Sequence, residues 1–155
     1  MKSKHTKNIK NIKNIKNIKN IKNIKKIITT YFDGCKSIEN VKLVILYGSY
    51  VSGKITENSD IDLAILKTEP LSFDEKLKIA TDLSIVLKKE IDLVDLKVAR
   101  GILLKEILCS GILLLNNNST VEYAFLMKRF LFDEADFFPL LRRLQKERKE
   151  KFLYE

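Results

Sequence analysis

Seven residues, Val41-Lys42-Leu43-Val44-Ile45-Leu46-Tyr47, form a β-branched and almost wholly apolar run that stops at Gly48-Ser49. That composition suits a strand buried on both faces, which commits the rest of the chain to covering both sides of a sheet. A second apolar strand, Ile61 to Leu66, follows the polar turn Thr56-Glu57-Asn58-Ser59. After Pro70, Ser72 and Glu75 have the spacing of a capping box, and Phe73, Leu77, Ala80, Leu83 and Leu87 share one helical stripe. A third strand spans Ile91 to Leu96. The stretch from Ala99 to Ser110 reads as a helix stopped by Gly111, and Ile112 to Leu115 as a short fourth strand. Ser119 and Glu122 form a second capping-box pattern, opening a helix that carries Val121, Ala124, Phe125 and Leu131. Pro139 breaks or restarts that helix before a charged final one with Arg142, Arg143 and Arg148. Strands interleaved with helices predict an α/β domain, a small mixed β-sheet flanked by helices.

The start of the chain is of another kind. From Asn8 to Lys25 the triplet Asn-Ile-Lys occurs six times without variation. Isoleucines spaced by three advance about 300° per step on a helix, so six of them point six ways and no single apolar face results. We therefore expect residues 1–26 to be a disordered low-complexity extension and residues 27–155 to be the folded domain. Helical spacing returns at Ile27, Ile28, Tyr31, Phe32 and Cys35, which predicts a short amphipathic helix from the mid-twenties to about Ser37. The formal charge of +9 belongs to the extension. Residues 1–26 hold ten Lys and no acid, leaving 19 basic against 20 acidic side chains in the rest. A basic face for nucleic acid is thus not expected on the domain, only in the tail. Two distant cysteines, Cys35 and Cys109, and a single His5 favour neither a disulfide framework nor a zinc site. Cys109 is expected in the core. No apolar window suits a signal peptide or a membrane span, so the expected setting is cytoplasmic.

The chemistry is concentrated in Gly48-Ser49-Tyr50-Val51-Ser52-Gly53-Lys54 and Ser59-Asp60-Ile61-Asp62. A strand ending in Gly-Ser lets backbone approach a ligand closely, and the N–H groups of a helix opened there would seat a phosphate. Asp60 and Asp62, two apart, point to one face of their strand. Paired hard carboxylates suit Mg²⁺ shared with substrate phosphates. Asp92, early in the third strand among apolar neighbours, is the third candidate, and alternation sends Asp95 to the opposite face. If the second and third strands are adjacent, Asp60, Asp62 and Asp92 form one cluster able to hold two Mg²⁺ ions for nucleotidyl transfer. Lys54 is balanced between a solvated turn and a phosphate contact.

Gly-Ser at a strand end, ten intervening residues, Asp-x-Asp opening the next strand, then a helix and a strand with one more Asp make this chain resemble the DNA polymerase beta nucleotidyltransferase superfamily. Within it the resemblance is to the minimal nucleotidyltransferases paired with HEPN toxins, the MntA-type antitoxins, over roughly residues 27–150. Glu106-Ile107-Leu108 and Gly111 lend weaker support. The resemblance implies a polymerase-beta-like palm fold, with Gly48, Ser49, Gly53, Lys54 and Ser59 at the nucleotide and Asp60, Asp62 and Asp92 holding metal. It implies Mg²⁺ and ATP, and transfer of AMP to a tyrosine hydroxyl of a partner HEPN-type RNase toxin, which is thereby inactivated. Ser52 departs from the pattern, since small members often carry Arg just before the second glycine. Two other readings stay open: a transferase for a small aminoglycoside-like compound, and a non-catalytic antitoxin acting by binding. About 115 residues of catalytic fold leave no acceptor-binding domain, which favours an acceptor on another chain. The phenylalanines at 125, 130, 132, 137 and 138 cannot all face one way on a helix, and are divided between core packing and a partner-binding patch.

Overall fold

The computed structural model describes residues 20–34 and 40–153. His5, Cys35 and residues 1–19 of the repeat segment lie outside the described residues. The order is helix α1 (20–34), β1 (Val41–Tyr47), α2 (Ser49–Ser52), β2 (Ile61–Lys67), α3 (Phe73–Leu87), β3 (Ile91–Asp95), α4 (Gly101–Ser110), β4 (Ile112–Asn116) and α5 (Thr120–Phe132). A π-helical turn (Asp133–Phe137) and α6 (Phe138–Leu153) follow. The sheet order is β3-β2-β1-β4, with β1 antiparallel to both neighbours and β2 parallel to β3. The expected mixed sheet is therefore present, with the apolar β1 inside it.

Strand alternation divides the core into two layers. Val44 and Leu46 of β1 and Ile61, Leu63 and Ile65 of β2 meet Ile79 and Leu83 of α3 and Ile24 and Ile28 of α1. On the other face Leu43, Ile45, Ala64 and Leu66 meet Leu104 and Ile107 of α4 and Leu126 of α5. Each of these large aliphatic side chains contributes about 1.5–3 kcal/mol by leaving water.

The first layer corrects the boundary expected at residue 26. Helix α1 has begun by residue 20, so the last triplets of the repeat belong to the folded domain. Six isoleucines spaced by three cannot share a face, but two can. Ile21 and Ile24 lie about 60° apart and continue the side of the helix that carries Ile28. Ile24 is buried and Ile21 packs beside it. The Tyr31 hydroxyl donates to Asp82 Oδ2 at 3.0 Å, tying α1 to α3.

Other local expectations divide. The Ser72–Glu75 capping box forms with both of its hydrogen bonds. The α3 stripe buries only in part as phased: Leu83 is buried and Leu87 packs against the core, but Phe73 is 78% and Leu77 56% exposed, and Ile79, outside the stripe, faces the sheet. The Ser119–Glu122 box does not form. Ser119 has φ −90° and ψ 24° instead of the extended backbone a capping residue needs, and its Oγ donates to Asn116 Oδ1 at 2.8 Å. On α5, Leu126 is the buried residue, whereas Val121, Ala124, Phe125 and Leu131 are exposed. Cys109 is exposed and not in the core. Pro139 is the second residue of α6, and the helix widens into the π-helical turn just before it. A proline there has no N–H for the carbonyl four residues back. Among the described residues no helix is long and apolar enough to cross a membrane.

Candidate active site

Strand register assembles the carboxylates. Tyr47 of β1 is the Cα partner of Asp62 on β2, and Asp62 is the partner of Asp92 on β3. The three residues form one row across three strands, on the face covered by α4 and α5. Asp60 lies two residues before Asp62, just ahead of β2. Adjacency of β2 and β3, on which the cluster depends, is thus observed. Asp95 is separate: buried, it accepts from the Leu71 N–H at 2.9 Å and the Lys97 N–H at 2.8 Å, and so fixes the loops at the far end of β3.

Gly48 makes room for this row. It has φ +68°, and a Cβ there would lie 2.1 Å from Asp62 Oδ2. Both the left-handed backbone and the missing side chain are therefore required. The Gly48 carbonyl accepts from the N–H groups of Val51 and Ser52, at 3.2 and 3.0 Å, which turns the chain into the short α2. The Ser49 N–H bonds to the Asp62 carboxylate. Gly53 ends α2 in the left-handed conformation with open space beside it, and the Lys54 N–H closes on the Ser49 carbonyl at 3.2 Å. The Lys54 side chain is exposed. Ser59 holds its own loop, accepting from the Thr56 N–H at 2.8 Å through Oγ.

The electrostatics show what the row lacks. Burial is the first cause pushing the Asp62 carboxyl above the ordinary aspartate range. The Ser49 N–H partly offsets this, and the nearby carboxylates of Asp92, Asp60 and Glu106 push further upward. Tyr47 is displaced far upward by burial and then by Asp92, Asp62 and Glu106, so its hydroxyl stays protonated beside them. Tyr50, the buried residue of α2, is also raised, by burial and then by Asp60. Asp62 is half-buried, but Asp60 and Asp92 are exposed, so the burial expected for Asp92 among its apolar neighbours does not occur; mutually repelling carboxylates at such an edge are still suited to a cation. Among the described residues no group of three or more His, Cys, Asp or Glu side chains is placed to hold a metal ion, so Asp60, Asp62 and Asp92 share one end of the sheet without forming a three-ligand set. A hard cation beside Asp62 would take its remaining oxygens from a phosphate substrate.

Three members of this environment were missed in the sequence. Tyr47 was read only as a strand end and Tyr50 as part of the loop. Glu106 carried family resemblance without a role. The signal for Tyr47 is its position directly before Gly48, where the last residue of β1 must fall opposite Asp62.

A sequence model of the family described as polymerase beta, nucleotidyltransferase matches residues 22–120. The chain belongs to the polymerase beta nucleotidyltransferase family. This family region contains the whole sheet and every candidate residue, and it starts inside α1. The chain is 35% identical over 75 residues to the protein adenylyltransferase MntA of Shewanella oneidensis. That match takes in 48% of this chain and 54% of MntA, so it spans about half of the curated relative. A crystal structure of a toxin–antitoxin pair with AMP-PNP contains a chain 29% identical, with TM-score 0.59, covering 84% of this chain and 95% of that one. A complex of tri-AMPylated Shewanella oneidensis HEPN toxin with MNT antitoxin gives 26% identity and TM-score 0.55, covering 86% of this chain and 95% of that one. These likenesses bear out the expected fold and family.

Proposed function

We propose that this nucleotidyltransferase is an antitoxin that transfers AMP from ATP to a tyrosine hydroxyl of a HEPN-type RNase toxin, and so inactivates it. The observation that carries the chemistry is the row Tyr47–Asp62–Asp92 with Asp60 beside it, a set of mutually repelling carboxylates at a glycine cut-out. The relatives support the acceptor class, since the similar proteins are an adenylyltransferase and chains solved with an AMPylated toxin.

Asp60, Asp62 and Asp92 would hold Mg²⁺, whose chemistry there is to neutralise charge on the triphosphate and on the leaving pyrophosphate. The loop from Gly48 to Lys54 lies against Asp62 and cradles the phosphates, with Lys54 supplying the cation that Ser52 does not. Ser59 shapes the turn that presents Asp60. In the transfer, the tyrosine oxygen bonds to the α-phosphorus and the bond from that phosphorus to the β-bridging oxygen breaks. Pyrophosphate leaves, and Asp92 takes the phenolic proton. Tyr47 stays protonated beside the row and so adds no negative charge to it.

The test is incubation of the protein with ATP labelled at the α-phosphate, Mg²⁺ and a HEPN-type toxin. Label should appear on the toxin and be lost in an Asp60→Asn/Asp62→Asn variant. Label that persists undiminished in that variant contradicts the assignment.

A further inference from the structure

Asp60 is exposed and stands just ahead of the sheet, so its place beside Asp62 depends on what holds the turn before it. Inside that turn the hydrogen bonds join only its two ends. The Thr56 N–H donates to Ser59 Oγ at 2.8 Å, the Ser59 N–H returns to the Thr56 carbonyl at 3.2 Å, and the two hydroxyls lie 3.0 Å apart. These bonds fix the shape of the turn but not its direction. Direction comes from the connection between α3 and β3. Its Glu90 carbonyl accepts from the Ile61 N–H at 2.9 Å, directly after Asp60, and the Lys89 ammonium donates to the Glu57 carbonyl at the tip of the turn. Residues 57–60 and 88–90 thus face each other across a polar hollow.

The backbone of that connection is bent to make the reach. Helix α3 ends at Leu87, and Lys88 takes the left-handed conformation, φ 53° and ψ 40°, where glycine is the usual choice. A lysine there carries strain that the surrounding contacts must offset. Lys89 follows it half-buried, while Lys88 and Glu90 on either side are exposed.

We infer that Lys89 is a positioning residue for Asp60: by holding the Glu57 carbonyl it braces the turn that carries this carboxylate to the side of Asp62. This rests on the proposed transfer reading, in which Asp60 helps to hold Mg²⁺. Asp60, Asp62 and Asp92 do not form a three-ligand set by themselves, so the placing of Asp60 bears directly on how much Mg²⁺ the nucleotide needs. The rival reading is a phosphate contact. Lys89 is instead directed to a main-chain carbonyl, a bond that a phosphate contact does not require.

The experiment uses the full chain and two readouts. One is amide exchange at Thr56, Ser59 and Ile61 in protein free of metal and nucleotide, where no phosphate is present for a lysine to bind. The other is calorimetric binding of ATP at stepped Mg²⁺ concentrations. Lys89→Met should speed exchange at the three amides and raise the Mg²⁺ concentration for half-maximal binding by about three- to tenfold, the scale of one hydrogen bond. Its thermal unfolding should stay close to wild type. Lys89→Arg keeps a donor of similar reach and should restore both readouts. Lys88→Asn removes the neighbouring charge, suits the left-handed backbone, and should behave as wild type. Unchanged exchange in Lys89→Met overturns the inference, and so does faster exchange with an unmoved Mg²⁺ requirement. A shift in Lys88→Asn as large as that in Lys89→Met also overturns it, because charge alone then accounts for the effect. Wild type that binds no ATP at any Mg²⁺ concentration contradicts the transfer reading, and exchange then decides the brace by itself.

Discussion

At Asp62, fitness for catalysis and stability are opposed. Its carboxyl is raised by burial and by neighbouring carboxylates, so the folded protein binds that proton more tightly than the unfolded chain does. Stability from this group is present at low pH and lost as pH rises through its elevated titration range. Asp62→Asn should therefore raise the melting temperature of the metal-free protein at neutral pH, by on the order of 2 °C. The gap to wild type should close as the pH falls toward the ordinary aspartate range, while nucleotide transfer is abolished. Melting curves across pH read both signs, and a variant no more stable than wild type at pH 7 contradicts the argument. Gly48→Ala is the complementary case. The left-handed backbone and the displaced Asp62 should together cost about 1–3 kcal/mol and roughly a hundredfold in transfer rate; thermal unfolding and single-turnover rates measure the two effects separately.

The elements were legible in the sequence to different degrees, for physical reasons. Composition and turn chemistry placed β1, β2 and the Ser72 cap, because those depend on neighbouring residues only. Register was not legible: nothing local says that β3 lies parallel to β2, and the meeting of Asp62 and Asp92 depends on it. Helix faces misled where a helix has two apolar sides. On α3, Phe73 and Leu77 have the same spacing as Ile79 and Leu83, and periodicity does not say which side the sheet takes. On α5 the same ambiguity concealed an outward stripe. The repeat misled because six isoleucines were weighed together, whereas Ile21 and Ile24 share a side with Ile28 and pack into the core. Helix α1 accordingly makes its own prediction. Ile24→Ala should destabilise the protein by about 2–4 kcal/mol, and a chain beginning at residue 27 should melt lower still. Denaturant unfolding checks this, and an unchanged midpoint for both would return the boundary to residue 26.

For the whole molecule, the small palm-like domain carries the nucleotide chemistry on one sheet face and, in the same helical layer, the outward stripe of α5. Its excess positive charge in the sequence lies before residue 27, whereas the candidate site is acidic. The central claim is that Asp60, Asp62 and Asp92 make this chain a metal-dependent AMP transferase for a protein tyrosine. The most direct measurement is the intact mass of the HEPN partner after incubation with this protein and ATP, with Mg²⁺ or with a chelator in its place. The account predicts whole AMP increments on a partner tyrosine with Mg²⁺, none with the chelator, and none with Asp62→Asn or Asp92→Asn. A partner of unchanged mass that is nevertheless neutralised, or increments that survive loss of Asp62, would contradict it.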